Sequence, residues 1–304
     1  MGVGHLGRHH ARIAAESSAP LAGVFDTDTA RAREVSSALG TRSYPSLDLL
    51  LADCDAIVVA TPAASHFAVA RIALEADKHC LVEKPLVTDS IAAATLVHLA
   101  GSRNLVLAVG HSERFNPALE RADAFVTEPL YIEVTRVAPF PGRGMDVDVV
   151  KDLMVHDLEI VLHWMGSNPV EVRAVGVALV TDKVDMANAR LEFQRGQVAT
   201  LTASRASPSP LRVMRVFQRG GYVSVDLGSR KLRFVRQTLQ GLAVEEATAD
   251  GPEPLNAELE DFLMAVRSGC APRVSGEEGA QVLRVAEEIV AQIGSRLLRL
   301  GASR

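Results

Sequence analysis

A chain of 304 residues, 48% of them hydrophobic and 23% charged, has ample material for a buried core and falls in the ordinary globular class. The formal net charge is -5 and the 32 Lys and Arg residues are scattered, which excludes the massed basic surface of a nucleic-acid binder. No apolar run is long enough to span a bilayer and no secretory signal opens the chain, so the expectation is a cytoplasmic protein without a membrane partner. Cys54, Cys80 and Cys270 show neither an even count nor metal-ligand spacing and read as incidental thiols.

The chain opens with Gly2-Val3-Gly4-His5-Leu6-Gly7, a G-x-G-x-x-G that runs straight into a helical pattern from Arg8. Glycines in this spacing allow a tight turn, a close approach of backbone to a pyrophosphate and close helix-strand packing, while the helix start supplies N–H donors. The motif ought to follow a strand, yet only Met1 precedes Gly2. The first strand of a dinucleotide fold is therefore expected to lie upstream of an incorrectly assigned start, or to have been lost at a cost in cofactor affinity.

Short β-branched runs then alternate with alanine-rich helical patterns. LAGVFD is followed by a helix from Ala30 to Leu39, DAIVVATP by one from His66 to Glu75, HCLVEKP by one from Ile91 to Gly101, and LVLAVGH closes the series. This succession predicts an α/β fold with a doubly wound parallel sheet over residues 1–125. From 126 to 304 the texture changes to strands such as YIEVTRVAP, MANARLEFQ, QVATLTASR, LRVMRVFQ and GYVSVDL, which predicts an α+β domain on an open, mostly antiparallel sheet. One helix from Val147 to Met165 interrupts it, and helices from Leu255 to Ser268 and Ser275 to Leu300 end the chain, with room to pack back on the first domain.

Asp26 ends the strand LAGVF, 19 residues after Gly7 (26 - 7), where a carboxylate can accept from the ribose hydroxyls of NAD and repel the extra phosphate of NADP. The competing reading makes Asp26 and Asp28 helix caps only. Three successive strand ends offer polar groups to one edge of the sheet: Thr61-Pro62 with His66 beyond, Glu83-Lys84-Pro85, and Gly110-His111 followed by Glu113, Arg114 and Asn116. In the helix after 147, Asp152 and His156 share a face at i, i+4, and Asp148, Glu159 and His163 read as its solvated stripe. A metal site from His156, Glu159 and His163 has no support elsewhere in the chain, so no metal is expected.

GVGHLG, the EKP at Glu83 to Pro85, the GH-x-x-RF-x-P at Gly110 to Pro117 and the Asp152-x-x-x-His156-Asp157 helix together resemble the Gfo/Idh/MocA oxidoreductases across essentially the whole chain. GHSERFNPA, APFPGRGMDVDVVKDLMVHD, DMANARLEF and TASRAS resemble more narrowly the branch acting on nucleotide sugars in lipid A synthesis. The resemblance implies NAD as cofactor, with NADP less favoured. It implies Lys84 and His156 as the catalytic pair with Asp152 beside them, and a cofactor site of Gly2, Gly4, His5, Leu6, Gly7, Asp26, Thr61, Pro62, His66, Glu83 and Lys84. His111, Arg114, Arg143, Asp152 and His156 would meet the substrate, with Arg136 and Arg205 weaker candidates for a pyrophosphate. The implied reaction is oxidation at C3 of UDP-N-acetylglucosamine by a homodimer or homotetramer. Dehydrogenation of another sugar, a UDP-sugar acid or a cyclitol is the alternative enzyme, and a catalytically silent dinucleotide-binding regulator is the alternative of another class.

Overall fold

A computed structural model describes residues 1–140 and 147–302, with side chains described as far as 299. In chain order the elements are α1 (His5–Glu16), α2 (Thr29–Leu39), α3 (Leu47–Ala52), β1 (Ala56–Val59), α4 (Ala63–Glu75), β2 (His79–Glu83), α5 (Ser90–Ser102), β3 (Leu107–Gly110), α6 (Pro117–Asp123), β4 (Pro129–Val137), a π-turn (Val150–Met154) and α7 (Val155–Met165). There follow β5 (Pro169–Val177), β6 (Met186–Phe193), β7 (Val198–Ser204), β8 (Leu211–Gln218), β9 (Gly221–Asp226), β10 (Lys231–Thr238), β11 (Gly241–Thr248), α8 (Pro254–Ser268) and α9 (Gly276–Ala302). Two compact units emerge: residues 1–112 with 252–283, and residues 113–251 with 284–304.

In the first unit β1, β2 and β3 pair in parallel in that order, joined by α4 and α5. β2 is almost entirely buried, as in a parallel sheet covered on both faces. Asp28 caps α2 by accepting from the N–H groups of Ala30 and Arg31, and Gly40 ends it in the left-handed conformation at φ 62°. The strand predicted over LAGVFD shrinks to a single parallel bridge between Val24 and Ser43. The place of a strand before the glycine motif is held by Met1–Val3, whose backbone bonds to both sides: Gly2 N–H to Phe25 O at 2.9 Å, the Met1 amine to Val58 O at 2.8 Å, and Ala60 N–H to Met1 O at 2.9 Å. Burial lowers the Met1 ammonium to about 6. Val24 and β1 flank an apolar cavity of about 530 Å³ lined also by Ala11, Leu259 and Phe262.

Helix α8 closes this unit. Leu259 and Phe262 project into a cluster with Ile13 of α1, Leu81 of β2 and Ala108 of β3, joining residues from both ends of the chain in one core. The six-residue α3, started by Ser46 accepting from Leu49 N–H, was not read from the sequence because it is too short to show a helical period.

The second unit is an eight-stranded sheet in the order β11-β10-β9-β8-β4-β7-β6-β5, antiparallel throughout except where β4 meets β7 in parallel. Alternation sends Ile132 and Val134 of β4, Leu201 of β7, and Met214 and Val216 of β8 into the core. Helix α7 packs on β4 and β7. On the opposite face Tyr131, Phe217 and Tyr222 stack in a row with centroids 5.8 and 5.1 Å apart. No helix among the described residues is long and apolar enough to cross a membrane.

Phe262 is 2% exposed at the centre of the α8 cluster. Phe262→Ala is expected to cost about 3–5 kcal/mol in a denaturant titration, with α8 the first segment to lose amide protection in hydrogen exchange.

Candidate active site

Each glycine of the opening motif meets a different physical demand. Gly2 has φ 74°, and a Cβ there would stand 2.8 Å from Ala60 O. At Gly7 a Cβ would overlap the carbonyl oxygen of Gly2, so only glycine lets α1 start this close to the loop. At Gly4 a Cβ would meet nothing within 4 Å, which leaves the backbone open to an incoming group. Gly4 is also the N-cap of α1 and provides no side-chain cap, so the first N–H groups of the helix, at His5 and Leu6, face outward with the positive end of its dipole. Thr61 Oγ1 is buried without a hydrogen-bond partner among the described residues. An uncapped helix start, open space at Gly4 and an orphaned hydroxyl fit a pyrophosphate-bearing dinucleotide.

Asp26 is 6% exposed and already bonded: Oδ2 accepts from Val3 N–H and Oδ1 from Asp28 N–H, both at 2.8 Å, with Arg31 at 3.5 Å. Burial pushes its carboxyl up, but these N–H donors and Arg31 prevail and hold it below the ordinary value. Of the two aspartates read as possible caps, Asp28 is the cap, whereas Asp26 ties the segment after Val24 to the glycine loop.

Lys84 stands just past the end of β2, at a cis Lys84–Pro85 peptide, on a segment fastened from several sides. His66 bridges its neighbours, with Nε2 2.8 Å from Thr61 O and Nδ1 2.8 Å from Pro85 O. Glu83 folds back so that Oε2 accepts the N–H of Lys84 at 3.1 Å, and Oε1 lies 2.6 Å from Nε2 of His10. His111 at the end of β3 is pushed down to about 3 by burial and then by the charge of Lys84, so it is a neutral imidazole at physiological pH. The first unit therefore brings together Gly2 to Gly7, Asp26, Thr61, Pro62, His66, Glu83, Lys84 and His111. Sequence reasoning missed His10 and Glu258, which join Glu83 in a buried group. His10 lies three residues beyond Gly7 on the inward side of α1, but its partner is 73 residues away and no local spacing links them.

In the second unit Asp152 and His156 are both half-buried. The continuous α-helix predicted from Val147 proves to be a π-turn from Val150 to Met154 followed by α7, so Asp152 and His156 are related through a wider turn than i, i+4 assumes. Asp148 accepts from the N–H groups of Val150 and Lys151, which makes it a cap. Glu159 corrects the solvated-stripe reading outright: it is 2% exposed and takes Nη1 of Arg114 at 3.0 Å, whereas His163 is exposed as expected.

The arginines considered for a pyrophosphate are mostly committed elsewhere. Arg114 is 5% exposed against Glu159. Arg136 grips Asp157 through Nε and Nη2 at 2.8–3.0 Å, fastening α7 to β4 one residue beyond His156. Arg205 is 1% exposed, bonded to Asp185 and to Val147 O, both at 2.9 Å. Arg143 lies outside the described residues.

Comparison with known proteins agrees with this geometry. Residues 1–111 match the pattern described as the oxidoreductase family with NAD-binding Rossmann fold, and residues 142–223 match the GFO/IDH/MocA C-terminal domain. The chain is 44% identical over 309 residues to UDP-N-acetylglucosamine 3-dehydrogenase of Acidithiobacillus ferrooxidans, covering 98% of this chain and 97% of that one. A solved structure of that enzyme superposes with a TM-score of 0.93 at 42% identity, covering 97% and 96% of the two chains. Inositol 2-dehydrogenase of Rhizobium meliloti is 24% identical over 97% of this chain and 96% of its own.

Gly4 and Gly7 separate binding from folding. Gly4→Ala has open space and φ -66° to accept it, so thermal stability should be unchanged while NAD affinity falls about tenfold or more. Gly7→Ala should lower the melting temperature as well, by an amount equivalent to about 2 kcal/mol or more. Calorimetric NAD titration beside thermal melts of both variants reads the difference.

Proposed function

The chain belongs to the Gfo/Idh/MocA oxidoreductases, and we propose that it is the NAD-dependent dehydrogenase that oxidises the C3 hydroxyl of UDP-N-acetylglucosamine to a ketone. The observation that carries the substrate is the 44% identity to UDP-N-acetylglucosamine 3-dehydrogenase, which runs from one end of the chain to the other. The overall reaction converts a secondary alcohol and NAD to a ketone, NADH and a proton.

In this reading the glycine loop, the start of α1, Asp26 and Thr61 hold the dinucleotide, whose nicotinamide, when bound, supplies the hydride acceptor. His156 takes the hydroxyl proton, a task suited to an imidazole because its ordinary pKa lies near neutrality. Lys84 holds the reacting oxygen and stabilises the negative charge that develops there. Asp152 orients the sugar or the imidazole. Two fastenings favour these roles. Lys84 sits on a segment pinned by His66 and Glu83, and His156 is followed by Asp157, which Arg136 locks in place. Neutral His111 beside Lys84 suits a substrate contact that adds no second cation. The pyrophosphate contact falls to Arg143, and Arg114 is held by Glu159. A homodimer or homotetramer is part of this reading, its contact supplied by the open sheet face around Tyr131, Phe217 and Tyr222.

A different sugar or cyclitol is the second reading, favoured by the similarity to inositol 2-dehydrogenase, and a silent dinucleotide-binding regulator is the third. NADH absorbance on mixing the protein with NAD and UDP-N-acetylglucosamine, with an aminotransferase or ketone trap to draw off product, separates all three. Absorbance should grow, and Lys84→Ala and His156→Ala should each reduce the rate about 10²–10⁴-fold. Growth only with inositol or a free hexose would reassign the substrate, and NAD binding without growth on any sugar would make the protein a regulator.

Cofactor choice has its own readout. Asp26→Ser removes the carboxylate beside Arg31 and leaves that guanidinium near Arg8 at the start of α1, so the ratio of NADP to NAD use should rise about tenfold or more. An unchanged ratio would locate cofactor discrimination elsewhere.

A further inference from the structure

Directly before Lys84 lies a buried set of ionisable groups whose role the reaction above leaves open. Glu83 at the end of β2, His10 on α1 and Glu258 on α8 are 6%, 3% and 2% exposed, and one coordinating atom from each lies within 4.8 Å of the others. Donors are unevenly distributed among them. Glu83 has two, Nε2 of His10 at 2.6 Å and the Lys84 N–H at 3.1 Å. Neither carboxyl oxygen of Glu258 has a hydrogen-bond partner among the described residues. Hydrogen bonds donated to a carboxylate favour its ionised form, and burial without them favours the acid. Two carboxylates this close and this dry do not both ionise, so one proton belongs to the pair.

We propose that Glu258 carries that proton at neutral pH and so leaves Glu83 the carboxylate, and that His10 is the positioning residue that holds Glu83, and through it the Lys84 peptide, in the orientation the reaction needs. The proposal deepens the reading of Lys84 as the group on the reacting oxygen and rests on it. Glu83 is confined on its other side by β3, where a Cβ on Gly110 would come within 3.0 Å of its Cα, Cδ and Oε2, so the carboxylate has little room to move. The charged and titratable groups facing Glu258 are Glu83 from β2, His10 from α1 and Asp261 from its own helix. Burial first, then the charges of Glu83 and Asp261, raise the Glu258 carboxyl well above the ordinary range. Ionising Glu258 would place a second negative charge against Glu83 and drive it off His10 and the Lys84 N–H. A divalent cation is the competing occupant of the cluster, and the short His10–Glu83 hydrogen bond argues for the proton instead.

The titration is read without reference to activity. A carboxyl raised in the folded state contributes stability that is complete below the ordinary carboxylate range and is lost as the pH climbs towards the raised value. E258Q has nearly the same shape and stays neutral at every pH. Thermal melts of the two proteins from about pH 5 to 9 should therefore diverge, the wild type losing ground as pH rises. A constant difference across that range means Glu258 ionises like a surface glutamate and overturns the proposal. So does a melting temperature lowered by a chelator and restored by Zn²⁺, which would put a cation where the proton is placed. The positioning role is read from kinetics. H10A should lower kcat about tenfold or more with KM for NAD changed less than about threefold, and H10Q, which restores a donor, should recover most of the loss. An unaltered kcat in H10A overturns the positioning role. Full activity in K84A would instead remove the reading of Lys84 and leave the titration of Glu258 standing by itself.

Discussion

The first unit depends on the contact between Gly7 and the carbonyl of Gly2, a separation that no side chain permits. It seats the start of α1 against the loop, and the rest of the helix then follows at fixed rotation. One turn on, His10 reaches Glu83, and a further turn brings Ile13 to Leu81 and Phe262. A single steric condition thus serves two ends. It leaves the uncapped N–H groups of α1 turned towards a dinucleotide, and it carries an imidazole beneath the strand that delivers Lys84. The glycine loop and the segment that carries Lys84 are mechanically one piece, with the body of α1 as the connecting rod.

The second unit reaches comparable rigidity by charge. Arg136 with Asp157, Arg114 with Glu159 and Arg205 with Asp185 are all nearly or wholly excluded from water. Each pair costs desolvation to form and is expensive to break, so what it gives is a defined position more than stability. Asp157 shows the balance: burial alone pushes its carboxyl up, and the fork of Arg136 opposes it. Around the half-buried Asp152 and His156, these pairs fix the backbone.

What could be read from the sequence followed from whether the governing interaction was local. The glycine spacing, the apolar runs of β1 to β3 and the polar residues at their ends all express themselves within a few positions, and the parallel sheet followed from them. The open sheet of the second unit was legible in the alternation along β4 to β9. Arg114 and Glu159, 45 positions apart, were not. Read singly, each resembles a surface charge, and only folding reveals them as partners. The same holds for Glu258, an acidic residue in an acidic helix until α8 turns it inward against Glu83. LAGVFD read as a full strand because its composition is right, but a ladder needs a run of paired residues and here it finds only a bridge at Val24 and one bond from Gly2.

The π-turn at Val150–Met154 holds one residue more than an α-helical turn would, squeezed into the same rise. Its presence makes this stretch tolerant and intolerant of length change at once. Deleting one residue would convert it to a regular helix, with every main-chain bond satisfied and α7 still anchored by Asp157. The same deletion would leave the flanks in phase but change the angle between Asp152 and His156, because a regular helical turn would replace the wider one that now relates them. The fold around α7 would be kept, and the damage would lie in the angle between two side chains.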